Sequence, residues 1–255
     1  ETAVNVPLEL IGLSQSEHTV YVIGKNPDLV IGSDTSRVWQ DANDAASITW
    51  TVDTSYSLLV INEVLAHSHG EANDLIELYY DGPAPLDLSG MSISDDLCNP
   101  TKYVFPGGTT VNPGEYMVLY ANYDPGHLGF ALSQFGEGVY LYDTVANGGG
   151  LIDSIEFGMQ LRDFTIGRLG RQRQWKLTQP TIGTENVAQP LGNPATLKIN
   201  EWFTSGEVLL EDDFIEIYNP HSQTVDMGGM FLTDDPVARP DRHQIKPLSF
   251  IAGEG

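Results

Sequence analysis

Glu63 and Glu77 are the residues whose types and spacing could do chemistry. They sit in Ile61-Asn62-Glu63 and in Asp74-Leu75-Ile76-Glu77-Leu78-Tyr79, two alternating apolar runs separated by a loop around Gly70. Paired as an antiparallel hairpin, these runs bring Glu63 opposite Glu77, and a period of two places Glu63 on the face of Leu59, Ile61 and Leu65. Like charges directly opposite each other destabilise a sheet, so something must neutralise them. Arg168 is the leading candidate, because a guanidinium holds carboxylates bidentately and tolerates partial burial better than an ammonium. A Ca²⁺ ion bridging Glu63, Glu77 and Asp95 or Asp96 is the second solution, and exposure to water the third. Paired carboxylates also serve glycosidases, yet a narrow hairpin offers no cleft for a sugar ring, so no enzyme is expected.

Other chemistry-bearing groups have plainer readings. Asp95-Asp96 and Asp234-Asp235 each follow an apolar run, where aspartates form turns by accepting nearby backbone N–H groups. His67 and His69 could clamp a transition metal, but no third ligand stands close by in the sequence, and solvated loop histidines are the simpler expectation. Nucleophile elbows, phosphate-cradling glycine loops and zinc spacings are lacking. The basic residues are unevenly placed: Arg162, Arg168, Arg171, Arg173 and Lys176 crowd around Trp175 in a chain with only 12 Lys and Arg. That cluster is either a solvated hairpin loop or a contact patch for an acidic neighbour or an anionic glycan, anchored by Trp175.

Elements that could position these groups are almost all strands. Helical periodicity is scarce, and short runs rich in Val, Ile, Leu and Tyr are broken by Gly, Pro, Asn and Asp, which indicates an all-β sandwich. Strands are expected near 19–24, 47–52, 58–65, 74–80, 90–94, 102–105, 115–120, 138–142 and 151–157. Turns are expected at Pro106-Gly107-Gly108 and Asn112-Pro113-Gly114, and a loose hairpin connection at Asn147-Gly148-Gly149-Gly150.

Charge narrows the choice of partner. With 35 acidic and 12 basic residues, a net charge of −23 opposes binding to nucleic acid or to an anionic membrane surface. No apolar run is long enough for membrane insertion. Cys98, the single cysteine, has no internal disulfide partner and is expected as a small apolar filler beside Asp95-Asp96. The opening on Glu1 reads as the start of an interior or processed piece.

The strongest organisational signal is a long repeat. Ile61-Asn62-Glu63, Asp74-Leu75-Ile76-Glu77-Leu78-Tyr79 and Gly90-Met91-Ser92-Ile93-Ser94-Asp95-Asp96 return as Ile199-Asn200-Glu201, Asp213-Phe214-Ile215-Glu216-Ile217-Tyr218 and Gly229-Met230-Phe231-Leu232-Thr233-Asp234-Asp235. A spacing of about 139 residues is a duplicated domain, since solenoid repeats are several times shorter. Together with Phe105-Pro106-Gly107-Gly108-Thr109, Pro113-Gly114-Glu115-Tyr116-Met117-Val118, Ile166-Gly167-Arg168 and Gly183-Thr184-Glu185-Asn186, the repeat resembles the lamin tail domain. The resemblance implies an immunoglobulin-like β-sandwich, found in nuclear lamins and in many secreted bacterial proteins, that binds or spaces and has no chemistry of its own. Leu10 to Val22 resembles the late strands of a fibronectin type III or immunoglobulin-like domain, with His18 in place of the usual corner tyrosine.

The expected layout is therefore the end of a fibronectin III or Ig-like domain over 1–55, one lamin tail domain over 56–190, and the first half of another over 191–255, giving partial β domains on both sides of a full one. The expected role is a non-catalytic binding or spacer module of a secreted or cell-surface bacterial protein. Its partners would be neighbouring domains of the same protein, another protein or a glycan, with no cofactor beyond the Ca²⁺ considered above. The alternative is a carbohydrate-binding accessory module, or a scaffold appended to an extracellular hydrolase.

Overall fold

The computed structural model describes residues 14, 16–26, 38–39, 41–52, 58–70, 73–170, 173–204 and 213–255. They divide into two compact units, 1–57 and 58–255. In the first unit, β1 (Ser16–Val22) pairs antiparallel with β4 (Ala46–Val52), and β2 (Lys25–Asn26) pairs with β3 (Val38–Trp39). His18 stacks on Trp50 across the first of these ladders at 6.0 Å between ring centroids. Residues 10–13 and 15 of the fibronectin-like segment lie outside the described residues.

The second unit holds both copies of the repeat. The first copy is a β-sandwich, as its alternating runs require. One sheet has the order β11-β6-β5-β14-β15-β16, formed by Tyr116–Ala121, Asp74–Tyr80, Leu59–Leu65, Thr165–Leu169, Gln174–Gln179 and Val187–Ala188. The other has the order β13-β12-β8-β9, formed by Leu151–Glu156, Gly138–Tyr142, Ser92–Ser94 and Tyr103–Val104. A short ladder of β7 (Leu86–Asp87) with β10 (Thr110–Val111) completes it. All strand pairs are antiparallel, and the core comprises Leu59, Ile61, Ile76, Leu78, Ile93, Val139, Leu141 and Ile166, each fully buried. No helix among the described residues is long and apolar enough to cross a membrane.

All nine expected strands form, with ends displaced by up to three residues. The hairpin of β14 and β15 was not among them. Its sequence is dense in arginine and glutamine, which reads as solvated loop. The structure instead packs Ile166 and Leu177 opposite each other in the core, while Arg168 turns to Asp153 of the other sheet.

The second copy repeats the opening of the first. Strands β17 (Lys198–Phe203) and β18 (Phe214–Tyr218) form a hairpin, while β19 (Val225–Asp226) pairs with β22 (Phe250–Ile251) and β20 (Phe231–Leu232) with β21 (His243–Gln244). Backbone bonds recur position by position. Leu88 donates to Thr109 and Met227 to Ser249; Gly90 donates to Phe105 and Gly229 to Ile245.

Candidate functional site

Glu63 lies opposite Glu77, as the repeat pattern requires, and both are 0% exposed. The route to that geometry is a β-bulge. Register shifts between Ile61 and Glu63, leaving Asn62 as the extra residue on β5. Strict alternation put Glu63 with Leu59 and Ile61; the bulge moves it to the face of Val60 and Leu65. The same shift recurs between Ile199 and Glu201, where Glu201 lies opposite Glu216.

Neutral hydrogen-bond donors hold the pair. Thr165 Oγ1 donates to Glu63 Oε1 at 2.5 Å, the Thr181 backbone N–H to the same oxygen at 3.1 Å, and Thr181 Oγ1 to Oε2 at 3.4 Å. Asn62 Nδ2 donates to Glu77 Oε1 at 2.8 Å and the Gly183 N–H to Oε2 at 2.6 Å. The two amides come from one turn, closed by the Thr184 N–H on the Thr181 carbonyl at 3.0 Å. Gly183 occupies its left-handed position with φ 79°, a conformation that side-chain-bearing residues rarely adopt. Asn186 locks that segment down, its Nδ2 donating to the carbonyls of Asn62 and Arg168, each at 3.0 Å. Gly167 makes room for it, since a Cβ there would lie 2.7 Å from Asn186 Nδ2. Burial still pushes both carboxyls above the usual glutamate range, the donors opposing it, and for Glu77 the charge of Glu63 adds to the rise.

Arg168 is not their partner, and the ladder explains why. Gly167 sits directly opposite Glu63, so Arg168, one residue on, projects from the other face. There Arg168 Nη2 meets both oxygens of Asp153 at 2.7 and 2.9 Å, while the guanidinium stacks on Trp175 at 4.7 Å. Where β14 parts from β5, this pair replaces the missing ladder: Ile61 N–H donates to Asp153 Oδ2 and Arg168 Nε donates to the Ile61 carbonyl, both at 2.8 Å. Burial raises the Asp153 carboxyl, against the pull of Arg168.

The four candidate calcium ligands do not converge. Asp95 and Asp96 follow β8 in the other sheet, and among the described residues no group of three or more His, Cys, Asp or Glu is arranged to hold a metal ion. Asp95 Oδ1 is held by Lys102 Nζ at 2.6 Å. Asp96 closes a turn by accepting the Cys98 N–H at 2.8 Å. Cys98 is exposed there and fills no apolar space. In the second copy, Asp234 pairs with Arg242.

The basic cluster also disperses. Trp175 and Lys176, being neighbours on one strand, point to opposite faces, so they do not share a patch. Arg173 pairs with Asp81 at 3.3 Å, Arg162 Nε reaches His67 Nε2 at 3.5 Å, and Arg171 lies outside the described residues. His67 lines a shallow cleft of about 330 Å³ with Ala66, Asp74, Leu132, Gln134 and Phe135, its Nδ1 buried and without a partner. His69 turns instead to Asp163, 3.8 Å away.

What this arrangement can do chemically is limited by access. The carboxylate pair would suit acid–base work, yet both groups are sealed under the 181–183 turn. Thr165, Thr181, Gly183 and Asn186 are the partners that reading for charge missed. Thr165 stands two before Gly167 and so shares its face, the one signal that could have found it.

Neither curated proteins nor solved structures gave a match to this chain. Residues 53–158 match the family model described as Lamin Tail Domain, a stretch that carries both glutamates and stops before Thr165 and the turn that caps them. The bulged hairpin, its buried glutamates and the four-stranded sheet thus lie within the stretch that is similar to a lamin tail domain.

Proposed function

We propose that this chain is a non-catalytic spacer and recognition segment of a secreted or cell-surface multidomain protein, whose partners are neighbouring domains or another protein. The observation that carries this reading is the sealing of Glu63 and Glu77. The residues best equipped for acid–base chemistry are consumed as internal struts: three hydrogen bonds hold the 181–183 turn to the hairpin, and Thr165 and Asn62 supply two more. Lamin tail domains are immunoglobulin-like interaction modules, and tandem use of the same bulged hairpin suits a structural role over a chemical one. The high negative charge favours solubility and an ionic medium.

A carbohydrate-binding accessory module is the second reading. Trp202, 69% exposed on β17, favours it, because an exposed indole stacks on sugar rings.

The test assays the full chain against chromogenic glycosides, esters and phosphate esters, beside a glycan array. The expected result is no turnover above buffer and no glycan retained. Turnover lost in Glu63→Gln/Glu77→Gln would overturn the non-catalytic reading. Glycan binding lost in Trp202→Ala would establish the second one.

A further inference from the structure

The first copy carries a seat for the second. Gly158 N–H donates to the Pro247 carbonyl and Phe250 N–H to the Met159 carbonyl, both at 2.9 Å. Gln160 Nε2 donates to the Leu248 carbonyl at 2.7 Å and to the Gly158 carbonyl at 3.0 Å, and this polar side chain is only 4% exposed. Ser249 and Phe250 are buried against the same strip. Fit at Gly158 is tight: a Cβ there would lie 1.9 Å from Ser249 Oγ and 3.0 Å from Lys246 Cβ.

Comparison of the two copies shows that the contact is specialised. Their hydrogen-bond patterns align Gly107-Gly108-Thr109 of the first with Pro247-Leu248-Ser249 of the second. In the first copy the turn is exposed at both glycines, and Gly108 takes φ 86° with open space around it. In the second, Leu248 is held at φ 53°, a region that costs a side-chain-bearing residue free energy and persists only where surroundings impose it. Its carbonyl is the one that Gln160 receives. An exposed surface turn has thus become a plug.

We propose that residues 158–160 are a docking face whose partner is the 246–250 turn of the following copy, making the two copies one rigid spacer where linked domains ordinarily move independently. This rests on the spacer reading above and names the partner: the neighbouring repeat of the same chain. The replacement of Gly-Gly by Pro-Leu makes the joint specific to this junction.

Cys98, exposed and the only cysteine, supplies one labelling position, and Val237→Cys, at a site 93% exposed in the second copy, the other. Nitroxides at the two sites of the full chain should give one narrow distance distribution by electron spin resonance. Gly158→Ala, whose Cβ has its three nearest contacts in the second copy, should abolish the narrow peak. Adding Ser249→Ala, which removes the nearest clashing atom, should restore it. Gln160→Ala should broaden it independently, and cooperative unfolding of the first copy checks that each variant folds. A parent distribution as broad as that of Gly158→Ala, or a Gly158→Ala distribution unchanged from the parent, would overturn the rigid joint. Either result leaves the absence of turnover untouched, whereas turnover by the carboxylate pair would sink the spacer reading with the joint intact.

Discussion

Arg168 and Asp153 show how one residue of register decides what a charge does. Arg168 stands next to the residue opposite Glu63 and yet serves a different carboxylate, because neighbours on a strand face opposite ways. Both members of the pair are about 15% exposed, and between them they satisfy both backbone groups of Ile61. Removing one partner from such a pair strands the other. Arg168→Met should therefore destabilise the first copy by roughly 3 to 5 kcal/mol, and adding Asp153→Asn should recover a substantial part of that loss. Urea denaturation of the parent, the two single variants and the double variant measures it. Equal losses in Arg168→Met and in the double variant would show that the ion pair contributes nothing beyond packing.

At the scale of elements, the loop over residues 131–137 carries the pH response. Glu137 accepts the Ser133 N–H at 2.5 Å, and burial pushes its carboxyl up to about 7, with Asp95 and Asp74 adding to the rise while Lys102 and the Ser133 bond oppose it. A carboxyl with a raised folded pKa keeps its proton in the native state after the unfolded chain has lost it. Native protein then binds more protons, so this contribution is fully present below about pH 4.5 and is lost as pH rises through about 7. Glu63, Glu77 and Asp153 shift in the same direction. The melting temperature should fall between pH 5 and pH 8, in the range about the folded pKa. Glu137→Gln, which keeps an acceptor for Ser133 but cannot ionise, should flatten that fall, and an unchanged pH profile in this variant would refute the assignment.

For the molecule as a whole, the first copy holds the large continuous core, whereas the β17–β18 hairpin leaves Ile199 and Ile215 59% and 53% exposed. The same positions in the first copy, Ile61 and Ile76, are fully buried. A segment of about 130 residues with two complete sheets has the surface-to-volume ratio to fold alone, and an open hairpin has not. Residues 58–190 should therefore unfold in a single cooperative transition when expressed alone, while 191–255 alone should show no such transition. Calorimetry of the two pieces decides it, and cooperative melting of the shorter piece would show that the second copy needs no seat on the first.

The sequence by itself determined the class of fold, the nine strands with clean alternation, the duplication and the opposition of Glu63 to Glu77. Each of these is a local or periodic property: side chains alternate with period two, glycine and proline fix turns, and a repeated string repeats its register. Tertiary structure alone decided how the glutamates are satisfied. A single bulge at Asn62 changed the phase of β5, and the donors came from Thr165 and the 181–183 turn, more than a hundred residues away in sequence. Nothing about a threonine hydroxyl or a backbone amide advertises itself in composition as an arginine does. The β14–β15 hairpin was hidden for the converse reason, since its arginines and glutamines advertise a loop while only Ile166 and Leu177 enter the core. The contact between copies was equally illegible, because Gly158 and Gln160 are ordinary residues until the turn at Pro247-Leu248-Ser249 is brought against them.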